Sequence, residues 1–264
     1  MSELLERVDV GAARVLHLNR PDARNALNFA LVLELKAEFA AAAEDNVRCL
    51  VITGRGKGFC AGADVKEWSE MAAAKDRGEA VEDHDWVGEM HKAIIGLHDL
   101  SAPTIAMING TAVGAGLDMA LACDFRFASS AARFRCSFTT MGYNPDAGGT
   151  WLMPRLMGLE AAKRFAFTAD IWLAEEARAN GLLTEVHAPE DLEAATMAFA
   201  ERLGSGPTVA IRQTKTLIDS ASTRSLADQL VAEKKAGEIC SRSDDAKEAM
   251  SAVIAKREPV FKGH

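Results

Sequence analysis

Two short apolar runs, each followed by a glycine-rich corner, constrain this chain more than any other feature. Residues 49–53 (CLVIT) and 104–108 (TIAMI) are continuous rather than alternating, the pattern of strands covered on both faces. The second run breaks at Asn109-Gly110, passes through Gly114-Ala115-Gly116, and turns apolar again from Leu117. This predicts a buried strand, a loosened turn and a helix beginning near Ala115. The first run leads into GRGKGFCAGADVKE at 54–67, a glycine-rich loop ending in a short helix. Small residues at a helix start leave its first N–H groups unpaired at the positive end of the dipole. Such a corner is either a tight packing contact between strand and helix or a seat for a negatively charged oxygen. Gly62-Ala63-Asp64 and Gly114-Ala115-Gly116 are two such corners, each after a buried strand. Two backbone donors aimed at one point make an oxyanion hole, and losing one donor costs about 3–4 kcal/mol of transition-state stabilisation.

Around these runs the pattern alternates between strand and helix. Residues 3–9 and 13–19 read as a hairpin turning at Gly11. Asn28 is placed to cap a helix over 29–43, where Leu31, Leu35 and Phe39 recur at helical spacing. Residues 70–85 are charged without a clear face, which predicts an exposed segment. A helix over 86–100 follows, with Trp86, Met90, Ile94 and Leu97 on one side. Short strands are expected at 124–128, 132–136 and 182–187, and the 142–151 loop leads into a helix with Trp151, Leu152 and Leu156 inward. Helices are expected at 159–168, 174–180, 190–203, 208–221, 225–240 and 244–256. Strands alternating with helices imply an α/β fold with a parallel sheet. The helical last third reads as a cap or association element.

Composition narrows the function. The 264 residues carry a net charge of -8, against a broad nucleic-acid surface. An anionic substrate therefore needs local cations and backbone donors. The five cysteines show no CxxC or Cys/His metal spacing, and an odd number in mostly apolar segments fits reduced thiols in a cytoplasm. His17, His84, His91, His98 and His187 have no ligand spacing, so no metal is expected. The N-terminus lacks an apolar signal core, and no apolar run is long enough to span a membrane.

GKGFCAGADVKE at 56–67, NGTAVGAGLDMALACD at 109–124 and NPDAGGTWLMPRLMG at 144–158 stand in the order and spacing of the enoyl-CoA hydratase/isomerase (crotonase) family. LNRPDARNALN at 18–28 and KREPVFKGH at 256–264 resemble its two ends, so the resemblance covers essentially the whole chain. It implies a ββα spiral core over 1–200. It also implies a C-terminal helical trimerisation region over 201–264 that helps cover the CoA site. The implied assembly is a homotrimer or a dimer of trimers. The implied chemistry is an enolate of an acyl-CoA thioester, with coenzyme A part of the substrate and no tightly bound cofactor.

Carried over by position, the oxyanion donors are the amides of Ala63 and Ala115. Family members that add water use two glutamates; those positions here hold Asp118 and Phe138, so one carboxylate is shorter and the other absent. NPDAGGTW instead resembles the loop of 1,2-epoxyphenylacetyl-CoA isomerases and Δ3,Δ2-enoyl-CoA isomerases, in which an aspartate at the Asp146 position shuttles a proton. Asp146 is then either that base or an N-cap for the helix after it. Asp118 is either a first-turn carboxylate complementing the helix dipole or an acid/base partner. The resemblance further implies CoA or substrate contacts at Arg24, Ala26, Ala61, Gly62, Asp64, Val65, Gly114 and Phe138, and at Phe261 and Lys262 toward a neighbouring subunit. Lys57 and Lys66 are additional phosphate partners or simply solvated. Trp86, Met90, Tyr143 and Trp151 either line an acyl pocket or pack the core. The expected reaction is double-bond isomerisation, with hydration through Asp118 or acyl-CoA binding without turnover as alternatives.

Overall fold

In the computed structural model, residues 3–82 and 84–264 are described. Positions 1 and 2 of the N-terminal stretch, and position 83 of the charged segment, lie outside them. The chain opens with β1 (Leu5–Val10) and β2 (Ala13–Leu18), an antiparallel hairpin turning at Gly11, whose φ is +58°. Helix α1 (Phe29–Glu44) starts where Asn28 caps it, its side-chain oxygen accepting the Leu31 amide at 3.1 Å. Next come β3 (Cys49–Gly54), β4 (Gly58–Cys60), α2 (Val65–Asp76) and α3 (Trp86–His98). The following turn repeats this plan as β5 (Thr104–Ile108), β6 (Thr111–Val113) and α4 (Ala115–Leu121). A third repeats it as β7 (Phe125–Ser129), β8 (Arg133–Arg135) and α5 (Gly149–Thr168). The chain closes with β9 (Trp172–Leu173), α6 (Ala174–Ala179), β10 (Glu185–His187), α7 (Leu192–Gly204), α8 (Thr208–Ala221), α9 (Leu226–Cys240) and α10 (Asp244–Ala255).

The strands divide between two sheets, ordered β1-β2-β3-β5-β7-β10 and β4-β6-β8-β9. Each middle turn gives one strand to each sheet and then a helix, which makes a ββα spiral. From β2 onward the large sheet is parallel. Its strands read as continuous apolar runs because both faces are covered. Leu16, Leu50, Ile52, Ala106 and Ile108 enter the core shared with α1, α3 and α4. Val15, Cys49, Val51, Ile105, Met107 and Phe127 face the opposite side, packing with Leu192 and Ala200 of α7.

Three expectations are corrected. The glycine-rich stretches at 54–67 and 109–116 contain β4 and β6, and β9 lies after α5. Strands of two or three residues are too short to show a period, so sequence presents them as loop. Helix α2 runs to Asp76, into the segment expected to be featureless. It has no clear face because none of its residues is buried. The helix expected over 159–168 is present, and the non-helical backbone of Gly158 (φ 78°, ψ 166°) separates it from the helical stretch that starts at Gly149. Trp151, expected inward, is 46% exposed beneath the Arg155 guanidinium, whereas Leu152 is buried.

Candidate active site

The two corners converge because both strand-to-helix turns sit at the same end of the spiral. Gly62 has φ +90°, and a Cβ placed there would lie 2.8 Å from the Val113 oxygen and 3.6 Å from the Ala115 nitrogen. Gly114 is the N-cap of α4 at φ 52°, ψ -130°, a conformation suited to glycine. Gly116 packs so closely on Cys60 that an added Cβ would lie 2.4 Å from its sulfur. The approach of these two backbones leaves the amides of Ala63 and Ala115 without an acceptor among the described residues. Their neighbours are paired. Leu27 donates to the Gly62 carbonyl at 2.8 Å, Asp64 donates to Leu27 at 3.1 Å, and Asp118 donates to Gly114 at 2.9 Å.

Both open amides border a cavity of about 260 Å³. Of the expected site residues, Ala61, Gly62, Ala63, Val65, Gly114, Ala115, Phe138 and Asp146 line it. Trp86 and Tyr143 line it as well, while Met90 packs in the core. Trp68, Val87, Ser137 and Met141 complete the wall and were not anticipated. For Trp68 a signal was present: Asp64 and Glu67 mark a helix start, which puts Val65 and Trp68 three apart on one face.

Among the described residues Asp146 is the one carboxylate on this wall. It does not cap α5, whose N-cap is Gly148 with no side-chain cap bond. Its backbone carbonyl meets His91 Nε2 at 2.5 Å, tying the loop to α3. Burial pushes its carboxyl above the ordinary range, opposed by its own amide and by His91.

Asp118 lies behind this wall. It is fully buried, and neither carboxylate oxygen has a hydrogen-bond partner among the described residues. A Cβ on Gly149 would lie 2.3 Å from Asp118 Oδ1, so the start of α5 covers it. Burial raises its pKa to about 7. The Gly149 and Ala147 amides that face it lower the value, and the charge of Asp146 adds to the rise. Those amides fall short of hydrogen-bond geometry, and burial prevails.

The remaining expected contacts lie outside the cavity. Asp64 is engaged structurally: its Oδ2 meets Arg20 Nη2 at 2.8 Å and its Oδ1 accepts the Glu67 amide. Burial raises its pKa, but Arg20 and those amides outweigh it and leave the carboxyl lowered. Ala26 is buried behind the cavity, and Arg24 is exposed, its carbonyl accepting the Ala61 amide at 3.0 Å. Lys57 and Lys66 are exposed. The tail with Phe261 and Lys262 lies along the start of α10, where Asp245 accepts the Lys262 amide at 2.7 Å. Cys60 and Cys136 are buried thiols pushed up to about 12, chiefly by burial. Among the described residues no cluster of His, Cys, Asp or Glu gathers to hold a metal, and no helix is long and apolar enough to cross a membrane.

A family profile described as enoyl-CoA hydratase/isomerase matches residues 11–264. The chain belongs to the enoyl-CoA hydratase/isomerase family. Its fold is the crotonase spiral, and the protein is an enzyme of this family. A 1,2-epoxyphenylacetyl-CoA isomerase of Escherichia coli (strain K12) is 36% identical over 267 residues, covering 100% of this chain and 99% of the relative. A crotonyl-CoA hydratase of Syntrophomonas wolfei is 35% identical over 250 residues, covering 94% and 93%. The solved structure of an enoyl-CoA hydratase from Bacillus anthracis superposes with a TM-score of 0.91 at 33% identity, covering 99% of this chain and 100% of that one. The relatives therefore carry both reaction names, and the choice between them rests on the site's own chemistry.

Proposed function

We propose that the protein isomerises the carbon–carbon double bond of an enoyl-CoA thioester, with Asp146 as the single base. The observation that carries this is the cavity wall, which among the described residues holds two open amides and one carboxylate, Asp146, with Phe138 where hydration needs a second. Asp146 takes a proton from carbon 2 of a 3-enoyl thioester. The released electron pair moves into the thioester carbonyl, and the N–H groups of Ala63 and Ala115 donate to the oxygen as it becomes negative. As the carbonyl re-forms, Asp146 returns the same proton to carbon 4, leaving the double bond between carbons 2 and 3. Burial raises the pKa of Asp146 and makes it a stronger base for this step. Arg24, exposed beside Ala61, is the proposed contact for the CoA phosphates. Phe261 and Lys262 are proposed to reach the CoA of a neighbouring subunit. The largely exposed helices α8 to α10 are the proposed association surface of a trimer or a dimer of trimers.

Asp146→Asn should lower turnover of 3-enoyl-CoA substrates by about 10²–10⁴-fold with little change in thioester affinity. Isomerisation persisting near the wild-type rate removes Asp146 from the role. One observation favours a second reading, hydration through Asp118. That carboxylate is unpartnered, and its pKa of about 7 lets it exchange a proton near neutrality. Hydration of a 2-enoyl-CoA that is lost in Asp118→Asn and kept in Asp146→Asn would establish that alternative.

A further inference from the structure

We propose that the acyl end of the cavity selects a thioester whose acyl group ends in a flat ring, and that Trp68, Trp86 and Phe138 are the selecting side chains. Aromatic residues make up 6% of the chain, yet four of the fourteen residues lining this cavity are aromatic, including the only tyrosine. Their arrangement is suited to another ring. Trp86 is 7% exposed and its indole nitrogen donates to the Leu27 carbonyl at 3.1 Å, so its plane is fixed. Trp68 meets it edge-on, with centroids 5.5 Å apart and planes at 88°. Phe138 closes the side nearest Gly114, where a Cβ would lie 3.8 Å from its ring. A third ring entering here completes an edge-to-face cluster, a geometry that aromatic rings favour beyond simple area burial.

The size of the cavity points the same way. An apolar cavity of about 150 Å³ holds one benzene ring. The 260 Å³ here leaves room for a ring and the short carbon link to the thioester, but confines a long chain. A linear acyl group must also freeze several rotors to fit, an entropic cost that a ring avoids.

This inference rests on the acyl group occupying the cavity, as the proposed reaction requires, and not on which carbon Asp146 deprotonates. The test is calorimetric binding to the intact protein of phenylacetyl-CoA, hexanoyl-CoA and dodecanoyl-CoA, with free CoA as the control for the CoA site. Phenylacetyl-CoA is expected to bind at least about tenfold more tightly than either linear thioester. Trp68→Ala should reduce that ratio to about twofold, and Trp68→Phe should keep most of it. Trp68 is 37% exposed on a helix that buries none of its residues, so the truncation leaves the core intact. A linear thioester binding as tightly as phenylacetyl-CoA, or a ratio unchanged in Trp68→Ala, overturns the proposal. Turnover is not required, so a failed isomerase assignment appears in the Asp146→Asn assay and leaves this ratio unaffected.

Discussion

Replacing Gly62 with alanine tests whether close backbone approach builds the donor pair. Two costs are separable. The first is conformational: at φ +90° a residue with a Cβ pays about 1–2 kcal/mol. The second is contact. The new methyl would sit 2.8 Å from the Val113 oxygen, a backbone atom of β6 that pairs with β8 and has no side-chain freedom to move away. Overpacking of this kind costs about 1–3 kcal/mol. The sum, about 2–5 kcal/mol, corresponds to a melting temperature lowered by roughly 5–15 °C. Gly78→Ala is the control. Its φ is +75° and no described residue lies within 4 Å of the added carbon, so it pays only the conformational cost, a drop of roughly 2–6 °C. Relief of the Val113 contact also turns the Ala63 amide away from the cavity. Turnover of Gly62→Ala should then fall by about 10²–10³-fold, as for loss of one oxyanion donor, while Gly78→Ala keeps wild-type turnover. Thermal melts and enoyl-CoA kinetics on both variants decide the matter. If Gly62→Ala melts with Gly78→Ala and turns over within about twofold of wild type, the geometric account of the donor pair is wrong.

Other predictions follow from the two unusual carboxylates. Asp118 has a folded pKa of about 7 against an ordinary 3.8, so the folded state holds its proton more tightly than the unfolded state. Stability should therefore fall as pH rises from about 4 to 7, by roughly 4 kcal/mol in total, and Asp118→Asn should flatten that slope in urea titrations across pH. A wild-type slope unchanged in the variant would assign the effect elsewhere. Asp64 has the opposite sign. Its carboxyl is held low, so the stability it contributes is present above the ordinary carboxylate pKa and is lost as acid protonates it. Asp64→Asn should cost about 2–4 kcal/mol near neutral pH, because Arg20 loses its partner, and the difference from wild type should shrink in acid. A cost that stays constant down to pH 2 would contradict that pairing.

The legible parts of the chain were those long enough to carry a period or a cap. Helix α1 begins at Asn28 as its side chain implies, and β3 and β5 are covered on both faces as their unbroken apolar runs imply. Of the second sheet only β8 was legible, at 132–136, since β4, β6 and β9 contribute two or three residues each and gain their definition from strand partners distant in sequence. Trp151 was misplaced inward because Leu152 and Met153 take the buried side while Leu156 is half-buried, and Trp151 lies about 100° off Leu152. At the site, the small residues at 62–64 and 114–116 announced two open amides. The sequence left Asp146 between base and cap, and α5, whose N-cap is Gly148, begins two residues too late for Asp146 to cap it.

The sequence by itself determined the long strands of the large sheet, the pair of glycine corners and the family to which the chain belongs, because each is written in contiguous residues. Only the tertiary structure decided which side chains share the cavity. Asp118 and Asp146 both stand in motifs that offer a catalytic carboxylate, yet the start of α5 seals one behind Gly149 and leaves the other on the wall. Trp68, in a helix without an apolar face, meets Trp86 from eighteen residues away. Such neighbourhoods depend on how separate elements pack together, and no local pattern records that packing.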